Sequence, residues 1–455
     1  MDAIHRFAEH VATTDYENIP KAAIAAAEAL IIDTIGVGIG GSSGPMASEL
    51  AKTQEKFGSD QHAHVWSLGK RLPVPAAALC NAYQVHSSEF DCVHEDAVAH
   101  VLSAVVPAAL AYCEKIRAID GKRFIEAVVL GADVASNLGL AAQTGLRFFR
   151  PATVGAFGAT AAVGKLMGLD TERLRHALSI CYGQLCGTMQ AHEEGSMLLA
   201  MQMGFNTRNA VVAAELAAAG FTGPQNILEG RYGYFALFES AGDPAAQAAT
   251  LGKVWRITEV AHKPFPSGRA THGIVDACLE LQSRHDIIAA DIARVEAVVP
   301  PLVQQLVGRL LRPDMDVNYA RLCAPYVTAR ALLRGTVDLS DFCSQAYADP
   351  ASRELAQKVV IAVRENDPPN ALTPIDVTIT LNDGAVLRTH LDVVYGNPKK
   401  PMLPAAQLAK FRANVASALR PLSGKQTEEL IDKLLRLRES KDVATLVPLM
   451  IGQVG

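Results

Sequence analysis

KAAIAAAEALIIDTIGVGIG, residues 21–40, sets apolar residues at helical spacing and closes on a run of glycines. Alanine and leucine lose little side-chain freedom in a helix, so the stretch predicts one, and its glycines predict a stop at a left-handed cap. The same Ala-rich pattern recurs at 103–115, 121–144, 153–167, 170–186, 203–219 and 272–284, with Asp170 placed to cap one helix and Gly220 to end another. The GVGIGG run at 36–41 ends a helix and does not follow a strand, so it lacks the setting of a dinucleotide-binding loop.

The chain has 455 residues, 49% of them hydrophobic and only 6% aromatic, which suits more than one core built from tightly packed helices. Beyond about residue 290 the pattern changes. RVEAVVP (294–300), VVIAVR (359–364) and DVTITL (376–381) are rich in β-branched residues and predict strands. DVTITL runs into Asn382-Asp383-Gly384 and AVLRTHLDV, which predicts a hairpin whose Asp-Gly supplies the positive φ angles of a tight turn. A helical piece at 326–333 lies between the strands, and residues 403–449 return to helical spacing with charged faces. The expected fold class is mostly α with α+β: a large helical domain (residues 1–265, resumed at 399–455) and a smaller α+β lid domain (266–398), with a cleft between them.

Lys and Arg number 42 against 47 Asp and Glu, a net charge of -5, with no basic run to meet nucleic acid. The N-terminal residues do not read as a signal peptide, and no stretch of about 18 uncharged apolar residues predicts a membrane span, so a cytoplasmic protein without membrane contact is expected. Eight cysteines are scattered without a CxxC pair, which favours reduced, buried thiols over a zinc site or disulfides.

The densest polar cluster of the first half is His86-Ser87-Ser88-Glu89-Phe90-Asp91-Cys92-Val93-His94-Glu95-Asp96, with His100 a little further on. It is wedged between two apolar helical runs, and imidazole beside carboxylate is the usual equipment for proton transfer near neutral pH. No HExxH or comparable spacing sets two ligands on one helical face, so no metal is expected.

The form His-x-x-acid-Phe-Asp, then a histidine and an apolar VxPAALA helix, resembles the active-site region of MmgE/PrpD proteins. Phe149-Arg150-Pro151-Ala152-Thr153-Val154-Gly155-Ala156-Phe157-Gly158 with AAVGKLMGLD is similar to that family's FHPTGxxGxxG stretch, and Gly220-Phe221-Thr222-Gly223-Pro224 with Ile227-Leu228-Glu229-Gly230 to its GFTGPxxILEG. Lys263-Pro264-Phe265-Pro266-Ser267 through His272 resembles its KPYPxxxxxH, and Ala324-Pro325-Tyr326-Val327 also agrees. The resemblance covers nearly the whole chain and implies a homodimer that works without a cofactor on a small carboxylate. The chemistry implied is proton removal beside a carboxylate, followed by loss of water, loss of carbon dioxide or return of the proton.

Matched residue by residue, the resemblance assigns catalytic roles to Glu89, Asp91, His100 and Tyr326, with His86 beside the substrate. His100 is the expected base or acid, Glu89 and Asp91 orient it or share the proton traffic, and Tyr326 is the opposing acid. The chain departs from the family where Cys92 and Val93 replace Asp-Thr, Arg150 replaces a histidine, and Leu199 and Gln202 stand near a usual lysine and histidine. Arg150, always charged, is expected to anchor a carboxylate, as are Lys263, Arg269 and His272 at the domain junction. Gln202 and Arg208 are further substrate-binding candidates, while Arg208 reads equally as an outer-face charge and His192, Glu193 and Glu194 equally as a solvated helix end. A hydro-lyase is the leading expectation, with an isomerase or epimerase and a catalytically inactive member as alternatives.

Overall fold

The computed structural model describes residues 1–452. The chain divides into two compact units. The first comprises Met1–Met189, Leu198–His262 and the segment from Leu403 onward; the second comprises Gln190–Met197 and Lys263–Met402. Residues 190–197, which the sequence reading kept with the helical domain, group with the second unit: Arg309 donates to the His192 carbonyl at 2.8 Å.

The first unit is a bundle. Helices Lys21–Gly40, Val74–Ser87, Leu102–Ile116, Gly121–Leu140, Arg150–Met167, Thr171–Tyr182 and Leu198–Ala218 form at the Ala-rich runs. Asp170 caps its helix as its position predicts, accepting from the Arg173 N–H, and Gly220 adopts φ 96° after Ala218. The sequence expectation fails at the first glycine run. Gly41 has φ -64°, and the helix passes into a 3-10 turn at Gly41–Ser43 instead of a left-handed cap. These glycines are needed for close approach. A Cβ on Gly36 would lie 2.6 Å from the Phe411 ring, and one on Gly40 would lie 2.8 Å from the Asn414 carbonyl. Asp33, Gly36 and Gly40 therefore share one helix face at i, i+3 and i+7, on which helix Pro404–Ala416 seats Lys410, Phe411 and Asn414. Phe411 is 2% exposed, so truncating it to alanine would cost about 3–5 kcal/mol.

By length and composition the apolar stretch Lys21–Ser43 is able to cross a membrane, and 72% of its most apolar window is buried inside the fold. A helix apolar all round is what the middle of a bundle requires, and its Asp33 is paired inside that bundle with Lys410 at 2.7 Å.

In the second unit a four-stranded sheet runs in the order Val359–Val363, Ile292–Val299, Ile375–Leu381, Val386–Leu391. The first pair is parallel (Val295 opposite Val359) and the others antiparallel (Glu296 opposite Thr378, Val377 opposite Thr389). Strand alternation turns Val295, Ala297, Val299, Val377 and Ile379 inward, where helices Arg269–His285 and Ala324–Arg334 cover them. The hairpin forms with a three-residue loop: Gly384 N–H bonds the Leu381 carbonyl, Gly384 alone takes positive φ (89°), and Leu381 N–H closes onto Ala385.

Candidate active site

Helix Val74–Ser87 ends with His86 on its buried side, and the chain then turns sharply because Glu89 adopts φ 51°, a region only sparsely open to residues with a Cβ. Val93–His94 pairs with Val260–Ala261, and a bridge between His94 and Ala99 folds the loop back so that His100 precedes helix Leu102–Ile116. Val98, also at positive φ (49°), makes the tip of that turn. Strained backbone on both sides of a polar cluster marks a conformation over-determined by its surroundings.

The loop converges on Asp91, whose side chain is 0% exposed. Its Oδ2 accepts from His86 Nδ1 at 2.9 Å and from the Ser103 hydroxyl at 2.5 Å, and His100 Nδ1 lies 3.0 Å from the same oxygen. The two imidazoles meet edge to face with centroids 4.8 Å apart, and Phe149 lies 5.7 Å from the His86 ring. Glu89 Oε1 stands 3.6 Å from His86 Nε2. His86 Nδ1, hydrogen-bonded to Asp91 Oδ2, carries its proton there, whereas His100 Nδ1 stands within ion-pair range of that oxygen without the geometry of a hydrogen bond. The His100 side chain is 12% exposed and that of His86 1%.

The loop is supported from behind by Lys410, which donates to the Phe90 carbonyl at 2.8 Å, pairs with Asp33 at 2.7 Å and lies 4.2 Å from the centroid of the Phe90 ring. Cys92 is fully buried there. Burial first, then the charges of Asp33 and Asp91, push its thiol far above the ordinary range, so it is no nucleophile. His94 turns away from the cluster, with Nε2 on Glu259 at 3.0 Å and Nδ1 accepting from the Ala97 N–H. Among the described residues, ligand atoms of His86, Asp91 and His100 lie within 4.8 Å of one another, a donor set a divalent cation accepts. The proton that His86 Nδ1 directs at Asp91 would have to leave for it.

Arg150 is placed differently from its expected role as a substrate anchor. It is 0% exposed and grips Glu239 in a fork, Nε to Oε1 at 2.9 Å and Nη2 to Oε2 at 2.8 Å, with Nη2 also on the Thr144 carbonyl. Tyr234 donates to Glu239 Oε1 and meets Thr153, both at 2.9 Å, and burial followed by the Glu239 charge holds its phenol well above the ordinary range. The guanidinium is already neutralised by a carboxylate, so this network is structural.

Tyr326 is likewise not poised as an acid. It is 0% exposed in the apolar core of the second unit beside Phe342 and Tyr347, its hydroxyl donates to the Asp341 carbonyl at 2.5 Å, and burial raises its pKa beyond useful range. Arg269 donates to the Tyr395 and Val394 carbonyls at 2.8 and 3.3 Å. His272 takes Arg269 Nη1 on Nδ1 and gives Nε2–H to the Ser267 carbonyl, both at 3.2 Å, which fixes a neutral ring. Lys263, 0% exposed, lies in the same unit.

In the first unit Gln202 is 4% exposed and accepts the Thr188 N–H at 2.7 Å, with Nε2 buried and lacking a hydrogen-bond acceptor. Arg208 is half-buried, bonded to Asn209 and lying over Phe205, so it reads as an outer-face charge. Glu193 and Glu194 are exposed. Sequence reasoning missed Ser103, Phe149, Lys410 and Asp33. Ser103 alone had a local signal, three residues after His100 at the start of a helix.

Comparison with known proteins bears on this site. The model of the MmgE/PrpD N-terminal domain matches residues 5–247 and that of the MmgE/PrpD C-terminal domain residues 265–437. Cis-aconitate decarboxylase of Mus musculus is 29% identical over 440 residues, 93% of this chain and 88% of the relative. The human enzyme of the same name is 27% identical over 439 residues, 93% and 89% of the two chains. That of Aspergillus terreus is 27% identical over 473 residues, 98% and 95%.

Proposed function

The chain belongs to the MmgE/PrpD family, and on that premise we propose that it is a cofactor-independent lyase acting on a small polycarboxylate by proton transfer at a carbon beside a carboxylate. The observation that carries this reading is the gathering of His86, Ser103 and His100 on one oxygen of buried Asp91. His100, the more exposed of the two rings, is the group that takes or gives the proton, and the Asp91 carboxylate beside it stabilises the imidazolium that forms.

Three relatives bear the name cis-aconitate decarboxylase, which makes cis-aconitate the first substrate to try. For that tricarboxylate the bond to one carboxyl carbon breaks, its electron pair moves through the double bond, and the far carbon takes the proton; one proton is consumed and one CO2 released per dicarboxylate formed. Loss of water from a hydroxy acid uses the same proton step in reverse. Epimerisation is the less favoured reading. Both imidazoles stand against one carboxylate, with centroids 4.8 Å apart, whereas epimerisation needs groups on two opposite faces.

Incubation with cis-aconitate and with hydroxy di- and tricarboxylates in heavy water is expected to release CO2 or water with deuterium entering carbon. Folded protein that does neither across the panel would end the proposal. Chelator treatment should leave turnover intact; its abolition would turn His86, Asp91 and His100 into metal ligands.

A further inference from the structure

We propose that Lys410, with Asp33, is a positioning residue that fixes the peptide between Phe90 and Asp91 and so sets where Asp91 holds the two imidazoles. The inference rests on the reading of Asp91 given above.

The Lys410 side chain is 4% exposed and that of Asp33 2%. Such a pair is costly to bury, and replacing a buried pair by apolar residues of similar size is commonly neutral or stabilising, so stability alone is a poor reason for it. What the ammonium does locally is specific. It holds the Phe90 carbonyl at 2.8 Å, takes Asp33 Oδ1 at 2.7 Å and rests on the Phe90 ring at 4.2 Å, which occupies its donors in three directions. It is thus a clamp on the loop, not a proton carrier.

The clamp acts at a sensitive point. Glu89, the residue before Phe90, is held at φ 51°, and Asp91 follows directly, before the strand pairing of Val93 begins. No regular ladder fixes residues 89–91, so a side chain that reaches in from 320 positions away supplies the restraint. Gly36 and Gly40, which admit helix Pro404–Ala416, lie on the helix face that carries Asp33.

The test is the double variant Asp33→Asn/Lys410→Met, which removes both charges while keeping volume, examined in the full-length protein with histidine labelled in its ring nitrogens. The expected result is a folded protein in which the ring signals of His86 and His100 move while those of the remaining 11 of the 13 histidines stay. With cis-aconitate as probe, kcat should fall roughly 10- to 100-fold with little change in KM and an altered pH profile, as a small misplacement of a catalytic group predicts. Lys410→Arg, which keeps charge and donors, should restore most of the turnover and the wild-type profile; it also serves if the double variant does not fold, and a loss there equal to that of His100→Gln overturns the role. A folded double variant with superimposable histidine signals overturns it as well. Because the signals are read without substrate, an inert wild type would sink the lyase reading and leave the Lys410 inference to be decided by the spectra.

Discussion

The charged networks around Glu239 and Asp91, both buried in the helical unit, differ in whether their charge depends on protons. Around Glu239 the balance is closed: Arg150 supplies a permanent positive charge, and its fork together with Tyr234 engages both carboxylate oxygens. Around Asp91 the partners are imidazoles, with a second carboxylate, Glu89, close by. The first network holds one protonation state because arginine does not titrate in proteins. The second cannot be neutral without deciding where protons reside, and that is the property proton-transfer chemistry uses. A buried charge is therefore a poor marker of a catalytic site; a buried charge whose partners titrate is a better one.

The contrast is broken most severely at His100. Replacing it with glutamine should lower turnover by about 10²–10⁴-fold, the range for loss of a general acid or base, with an unchanged melting profile. Normal turnover in steady-state assays would remove it from the mechanism. Arg150→Met should do the opposite. Stranding Glu239 without its partner should cost about 3–5 kcal/mol of stability, read from denaturant melts, while turnover per folded molecule stays within a few-fold. Loss of turnover without loss of stability would return Arg150 to the substrate.

A gentler probe is thiol modification. At pH 8 a thiolate reagent should label exposed Cys343 first and spare Cys92, whose thiol burial holds protonated, so turnover survives; mass spectrometry locates the label. Early labelling of Cys92 would mean that the rear of the Asp91 loop opens to solvent. The smallest effect concerns His390 on the second unit's sheet, which bonds Asp376 at 2.6 Å and Asp392 at 3.2 Å but is 52% exposed. Its pKa is raised, by Asp376 first and then Asp392. A raised histidine stabilises fully below its unfolded value of about 6.5 and loses that contribution as pH rises through the folded value. His390→Gln should flatten a slight decline in stability across that window, and a large change in melting temperature would contradict the solvent screening assumed for it.

Much of this architecture was legible in the chain. Helices and strands appeared where period and β-branching put them, because those signals are local, and the run from His86 to His100 showed the polar cluster directly. The roles of Arg150 and Tyr326 were misread because what decides them is distant: Glu239 lies 89 positions from Arg150, and the carbonyl that takes the Tyr326 hydroxyl belongs to another turn of the core. The glycines at 36 and 40 were read as a stop signal, since their true partner, the helix carrying Phe411 and Asn414, comes from the far end of the sequence.

The sequence by itself determined the helical bundle with its smaller α+β unit, the family resemblance and the residues among which proton chemistry had to be sought. Only the tertiary structure decided which of those residues share an oxygen and which cancel one another. Periodicity and residue type act over a few positions along the chain, whereas the state of a charge is set by whatever lies within a few ångströms, and folding alone chooses that neighbour.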